Sequence, residues 1–210
     1  MLVIVDYKMG NLGSVQNMLK KIGVQSVVSS DPEEISKATK LLLPGVGNFD
    51  RAMDNLHALN LIPILNKKVL IEKTPILGIC LGMQLMTKHS EEGNVQGLGW
   101  VNAKAVKFDD FKDTGLKVPH MGWNSTFFVN NHPLGKNLEE SRFYFVHSYK
   151  VICEDQKNVL VTSSYGAEFH SGIVADNVVG VQFHPEKSHR FGMQLLENFC
   201  FTHLNNNHKQ

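Results

Sequence analysis

The stretch from Pro75 to Met86 constrains the fold more than any other part of the chain. Pro75-Ile76-Leu77-Gly78-Ile79 is a continuous apolar run, and Cys80-Leu81-Gly82-Met83-Gln84-Leu85-Met86 follows with no spacer and reads as the start of a helix. A strand that enters a helix without a loop must turn within about one residue, and here that residue is Cys80. Backbone angles at such a turn are strained. Gly78 and Gly82, two positions either side, remove Cβ atoms that would collide there. Apolar runs of this kind belong to parallel strands buried on both faces. The junction therefore predicts a helix-covered parallel sheet with a cysteine lifted above its edge.

The rest of the first half fits that expectation. Leu2-Val3-Ile4-Val5 is a second continuous apolar run. Asn11 to Ile22 carries Leu12, Val15, Leu19 and Ile22 at helical spacing, with Gly23 where a C-terminal cap belongs. Val24 to Val28 reads as a strand. Asp31-Pro32-Glu33-Glu34 opens a helix with a cap, a proline at its first position and acid in its first turn. Leu41-Leu42-Leu43 is a strand ended by Pro44-Gly45-Val46-Gly47, and helices are predicted over Phe49 to Leu59 and Pro63 to Glu72. Repeated strand–helix–strand units imply right-handed crossovers and a sheet covered on both faces.

The second half changes character. Val101 to Phe108, Ser125 to Val129, Phe143 to Tyr149, Val159 to Ser164 and Val178 to Phe183 read as strands separated by turn residues, which predicts antiparallel additions to the sheet. A last helix is expected from His189 to His203, with Asn205 to Gln210 a polar, frayed end. No repeat or linker divides the chain. One domain over residues 1–203 with a tail at 204–210 is the simplest organisation for 210 residues. Lys+Arg 21 against Asp+Glu 20 leaves +1, without the basic excess that nucleic-acid binding calls for. No apolar run approaches the ~20 residues of a membrane span. Cys80, Cys153 and Cys200 are widely spaced and form no CxxC pair, which argues against disulfides and a cysteine metal site and fits a reducing cytoplasm.

Gly78-Ile79-Cys80-Leu81-Gly82 has the form of a nucleophile elbow. The turn places the Cys80 sulfur at a helix N-terminus, where free N–H groups favour a thiolate. The Leu81 amide is then aimed at a substrate oxygen as an oxyanion donor. The alternative is a buried structural cysteine. A cysteine nucleophile needs a base, and the base needs an orienting carboxylate. His184-Pro185-Glu186, after Val178-Val179-Gly180-Val181-Gln182-Phe183, offers both: in an extended segment His184 and Glu186 point the same way. Alone, a histidine beside a glutamate is more often a surface pair. Pro44-Gly45-Val46-Gly47 is either an ordinary turn or a flat segment in which Val46 and Gly47 present a second oxyanion N–H. It is no phosphate loop, since no Lys-Ser or Lys-Thr follows. Cys153 and Cys200 read as structural.

Taken together, Gly78-Ile79-Cys80-Leu81-Gly82-Met83-Gln84 and Val181-Gln182-Phe183-His184-Pro185-Glu186 closely resemble the class I (triad) glutamine amidotransferases. The resemblance implies a three-layer α/β fold, and hydrolysis of glutamine to glutamate and ammonia without metal or cofactor. Cys80 would form a glutamyl thioester, His184 would shuttle the proton and Glu186 would orient His184. It further implies that Gln84, His147, Ser148 and Tyr149 bind glutamine, and that a partner switches Pro44-Gly45-Val46-Gly47. Val5-Asp6-Tyr7, Gly10 to Val15, Leu43 to Phe49, Pro119-His120-Met121-Gly122-Trp123-Asn124 and Tyr144 to Tyr149 are similar to the glutaminase subunits of imidazole glycerol phosphate synthases, from about Leu2 to Phe199. That resemblance implies a heterodimer with a (β/α)₈-barrel cyclase that receives the ammonia in histidine biosynthesis. It turns Met121, Trp123 and Asn124, read as a loop, toward that partner rather than into the core. The pattern departs at Lys8, where a glycine or small residue is expected. The lysine points to a paralogue, for example one feeding ammonia to a surface-sugar pathway. A cysteine peptidase would lack the Val181–Glu186 run, and a silent regulatory subunit would not need Cys80, His184 and Glu186 intact.

Overall fold

The computed structural model describes residues 1–108 and 115–202. The first half runs β1 (Leu2–Val5), α1 (Leu12–Lys21), β2 (Ser26–Ser29), α2 (Pro32–Ser36), β3 (Lys40–Gly45), α3 (Phe49–Ala58), α4 (Ile62–Asn66), a π-helical turn Lys67–Ile71, β4 (Ile76–Cys80) and α5 (Leu81–Leu85). Then come β5 (His89–Ser90), β6 (Val95–Gln96), β7 (Ala103–Lys107), β8 (His120–Ser125), β9 (Phe127–Phe128), β10 (Arg142–His147), β11 (Tyr149–Cys153), β12 (Val159–Tyr165), β13 (Ala167–Ala175) and β14 (Val178–Val181). A 3₁₀ turn, Pro185–Lys187, leads into α6 (His189–Phe201). The predicted end of the last helix at His203 and the tail lie outside the described residues.

The centre of the sheet is parallel, in the order β2-β1-β3-β4-β14, and continues through antiparallel strands β13, β11 and β7 to the short pair β5-β6. The apolar runs divide their side chains between two layers. Val3, Val5, Leu41 and Leu43 enter the core on one face; Leu2, Ile4 and Leu42 enter the core on the other, with Phe183, Leu195 and Phe199. This is why the runs show no polar alternation: both faces are dry. The register then builds the site. β4 lies between β3 and β14, with Cys80 opposite Gly45 and Ile79 opposite Val181. The segments leaving β3 and β14 therefore emerge beside Cys80 at the carboxyl edge of the sheet, where ligands of open α/β sheets bind.

Several boundaries differ from the sequence expectation. The second strand lies at Ser26–Ser29 rather than Val24 to Val28, because Val24 still bonds back to Leu19 of α1. The run from Phe143 to Tyr149 is two strands in two sheets: β10 pairs with β8, while β11 pairs with β7 and β13, and Ser148 is the break. Pro119 to Asn124 is not a loop. His120–Ser125 is a strand whose side chains alternate, with Met121 and Trp123 exposed. Ser125 to Val129 is correspondingly not one strand but the end of β8 and the short β9. β13 had no sequence expectation, since Glu168, His170 and Ser171 interrupt its apolar pattern.

Candidate active site

Cys80 adopts φ 53°, ψ −109°, a conformation that L-residues avoid. The flanking glycines are required by contact. A Cβ at Gly78 would lie 2.8 Å from the Gly82 carbonyl carbon, and one at Gly82 would overlap the Leu43 carbonyl oxygen. The close approach of α5 to β3 and β4 thus depends on both. Gly45 has the same constraint, since a Cβ there would overlap the Tyr7 hydroxyl. That hydroxyl is buried and has no hydrogen-bond partner among the described residues.

Cys80 and Leu81 line a cleft of about 290 Å³ together with Val46 and Gly47, with His147, Ser148 and Tyr149, and with Gln84 and Glu92. The structure so brings every sequence-predicted oxyanion and glutamine-binding residue to one opening. Val46 is exposed there, and Gly47 holds φ +110°, a left-handed conformation suited to glycine.

His184 and Glu186 do not line this cleft; they meet Cys80 from within the protein. His184 Nδ1 is 2.7 Å from Glu186 Oε1, and both side chains are almost wholly buried. The pairing does not arise from an extended segment, as the spacing suggested. His184 caps the 3₁₀ turn Pro185–Lys187, and that turn folds the carboxylate back onto the ring. Burial disfavours a charged imidazole here, but the Cys80 thiol and the Glu186 carboxylate outweigh it and push His184 up to about 10. Nε2 is buried and within hydrogen-bond distance of no group among the described residues, so the pull of Cys80 on the ring acts across a longer gap than that of Glu186. The other two thiols are not poised in this way: burial pushes Cys153 up to about 12 and Cys200 up to about 11.

Behind the cleft wall runs a buried polar chain. His147 Nδ1 lies 2.8 Å from the Tyr149 carbonyl, His120 Nδ1 lies 2.9 Å from His147 Nε2, and Asn124 Nδ2 lies 3.2 Å from His120 Nε2 while also donating to the Ser164 carbonyl. Carbonyls at both ends fix the direction: each ring donates from Nδ1 and accepts at Nε2, so both are neutral. Burial agrees, lowering His120 to about 4 and His147 to about 3. The Asn124 amide is therefore spent inside the chain, whereas Met121 and Trp123 keep their exposure, Trp123 stacked on His189 at 5.6 Å.

The sequence matches the family described as Glutamine amidotransferase class-I over residues 3–203. This chain belongs to that family. Among curated relatives of this amidotransferase, Imidazole glycerol phosphate synthase subunit HisH 2 of Methanococcus maripaludis is 61% identical over 200 residues, covering 95% of this chain and 98% of the relative. Imidazole glycerol phosphate synthase subunit HisH of Sulfurimonas denitrificans is 50% identical over 202 residues, covering 95% and 97%. A subunit HisH 2 of Pseudomonas aeruginosa is 46% identical over 95% of this chain and 98% of its own length. In solved structures the fold recurs at low identity. A chain titled Crystal structure of glutamine amidotransferase superposes with TM-score 0.72 at 17% identity, covering 94% of this chain and 98% of that one. A chain of PurLQS from Thermotoga maritima gives 0.70 at 16%, covering 95% and 96%.

In and beside the amidotransferase cleft are residues to which sequence reasoning gave no role. His120 and Gln182 lay inside quoted motifs, but nothing in their spacing shows that the topology buries them beside the cleft. Tyr7 and Glu92 come from distant segments. Glu92 Oε2 accepts from the Phe49 amide at 3.0 Å and so tethers the start of α3 to the cleft, a long-range cap with no local signature.

Proposed function

We propose that this chain is the glutaminase subunit of an imidazole glycerol phosphate synthase. Cys80 Sγ attacks the side-chain amide carbon of glutamine. The oxyanion that forms is held by the Leu81 amide and a backbone N–H of the Val46-Gly47 segment. His184 passes the thiol proton to the leaving nitrogen, so ammonia departs and a glutamyl thioester remains on Cys80. Water then attacks the thioester, returns a proton through His184 and releases glutamate. Glu186 keeps the imidazole oriented and stabilises its charged form. Gln84, His147, Ser148 and Tyr149 hold the amino-acid end of the substrate. Residues 1–203 act as one domain, in the cytoplasm, and no helix among the described residues is long and apolar enough to cross a membrane. The ammonia passes to a (β/α)₈-barrel cyclase docked over Met121 and Trp123. The observation that carries the chemistry is Cys80 at φ 53° beside a buried His184–Glu186 pair at 2.7 Å.

A second reading, in which the same glutaminase serves a different acceptor, is favoured by two observations. Two of the relatives are numbered HisH 2. Lys8 holds φ 66°, a conformation natural to the glycine expected there. Expression in a histidine auxotroph lacking its glutaminase subunit separates the readings. Restored growth supports the histidine acceptor; failure to grow, with glutamine hydrolysis intact, supports the second.

A further inference from the structure

Gln182 follows β14 directly and is fully buried. Its side-chain amide joins two groups of the cleft: Oε1 accepts from Gln84 Nε2 at 3.0 Å, and Nε2 points at Cys80 Sγ from 3.6 Å. An unambiguous acceptor at the far end fixes the direction. Gln84 Nε2 also donates to the Tyr149 backbone carbonyl at 3.3 Å, and a carbonyl oxygen can only accept. The Gln84 atom between Tyr149 and Gln182 is therefore nitrogen. The Gln182 atom facing Gln84 is oxygen, and the one left facing sulfur is nitrogen. Residues from α5, β11 and the end of β14 thus aim a buried N–H at the sulfur.

We propose that Gln182 is a positioning residue for the thiolate form of Cys80, donating to Sγ from an amide that Gln84 locks in place. The inference rests on reading Cys80 as the nucleophile. A donor to an anion is roughly twice as strong as one to a neutral group, and a thiol sulfur is a weak acceptor. The bond therefore favours the ionised sulfur. The titratable groups around it are His184, backed by Glu186, from the 3₁₀ turn; Tyr7 from the segment after β1; His147 at the end of β10; and Tyr149 and Glu92 in the cleft lining. α5 brings no charge of its own. The Val146 carbonyl, 3.9 Å from Sγ, opposes the anion. Gln182 is a neutral donor, so its contribution does not titrate with any of them.

Removing this donor has consequences of opposite sign at the two ends of the pH range. Less thiolate forms at low pH, but a sulfur with a higher proton affinity is the better nucleophile once ionised, with a Brønsted coefficient of about 0.4–0.5. For Gln182→Leu the midpoint of the alkylation rate profile should move up by about one pH unit, which is the loss of one charge-assisted bond. The rate should fall about threefold at low pH and rise about threefold on the high-pH plateau, so the two curves cross. Gln182→Glu keeps the shape and the acceptor for Gln84 but turns a carboxyl oxygen toward the sulfur. Its midpoint should move up at least as far, and it carries the test if the leucine variant does not fold.

The experiment is iodoacetamide alkylation of Cys80 in the full chain, read by peptide mass spectrometry from about pH 5 to 10. An upward shift with crossing curves supports the inference. Superposable profiles, or a rate loss equal at every pH with an unmoved midpoint, would show a structural role only and overturn it. If Cys80 in the parent chain reacts no faster than Cys153 and Cys200, the nucleophile reading falls and this inference falls with it. If the parent is selective and the variants do not shift, the inference alone falls.

Discussion

The elbow makes a stability prediction that runs against the usual order of residues. Cys80→Ala and Cys80→Gly delete the same sulfur and differ by one Cβ. At an ordinary position glycine is the less stable by roughly 0.5–1 kcal/mol, because it frees the unfolded chain. Cys80 is held at φ 53°, ψ −109°, and a non-glycine residue confined to such a region costs about 1–3 kcal/mol. Glycine removes that cost. The balance leaves Cys80→Gly more stable than Cys80→Ala by about 1 kcal/mol, or about 2–4 °C in Tm for a chain of this size. Denaturant unfolding gives the free-energy difference and thermal melting the shift; both variants lack the sulfur and should be inactive toward glutamine. An alanine variant more stable than the glycine variant by about 0.5 kcal/mol or more would refute strain at the elbow.

Four further outcomes follow from the geometry. His184 should keep its proton until pH rises through about 10 in a ring-proton NMR titration, and stability contributed by that charge, full below about 6.5, should decline as pH rises from there to about 10. His120 and His147, lowered to about 4 and 3, act in the opposite sense: the unfolded chain takes up their protons below about 6.5, so stability should fall as pH drops from 6.5 toward 3, and a flat stability profile over that window would contradict their burial as neutral rings. Lys8→Gly should stabilise the chain by about 1 kcal/mol, since Lys8 at φ 66° gives up only an exposed ion pair with Asp6; destabilisation in denaturant unfolding would count against this. Gly47→Ala puts a Cβ at φ +110°, 2.8 Å from the flexible end of Met9, and should lower partner-stimulated glutamine hydrolysis by up to about 10² while leaving Cys80 alkylation unchanged; unaltered stimulation would remove Gly47 from the oxyanion site.

What could be read in the sequence was whatever a local rule enforces. Asp31 and Pro32 cap and start α2, as their residue types require. The elbow was legible because the strand-to-helix turn itself calls for small residues at Gly78 and Gly82, although the contact that Gly82 relieves comes from Leu43 on the neighbouring strand. The parallel strands announced themselves by being dry on both faces. The second half was less legible because its strands pair at long range. Nothing local marks Ser148 as the point where the chain leaves one sheet for another. His120–Ser125 carries a histidine, a glycine and an asparagine on the side that is partly buried, which hides its alternation from any hydrophobic pattern. Cys80, His184 and Glu186 stood out because each lies in a short local motif, whereas the His120–His147 chain and Gln182 became meaningful only once the strands were placed.

The most direct test of the glutaminase assignment compares the parent chain with Cys80→Ala, each bound to its cyclase partner with the acceptor ligand present. Two rates are measured: glutamate released from glutamine, and synthase turnover with ammonia supplied in solution. The account predicts that Cys80→Ala loses glutamate release by at least about 10³ and keeps ammonia-dependent turnover near the parent rate. Glutamate release near the parent rate from the Cys80→Ala complex would contradict it.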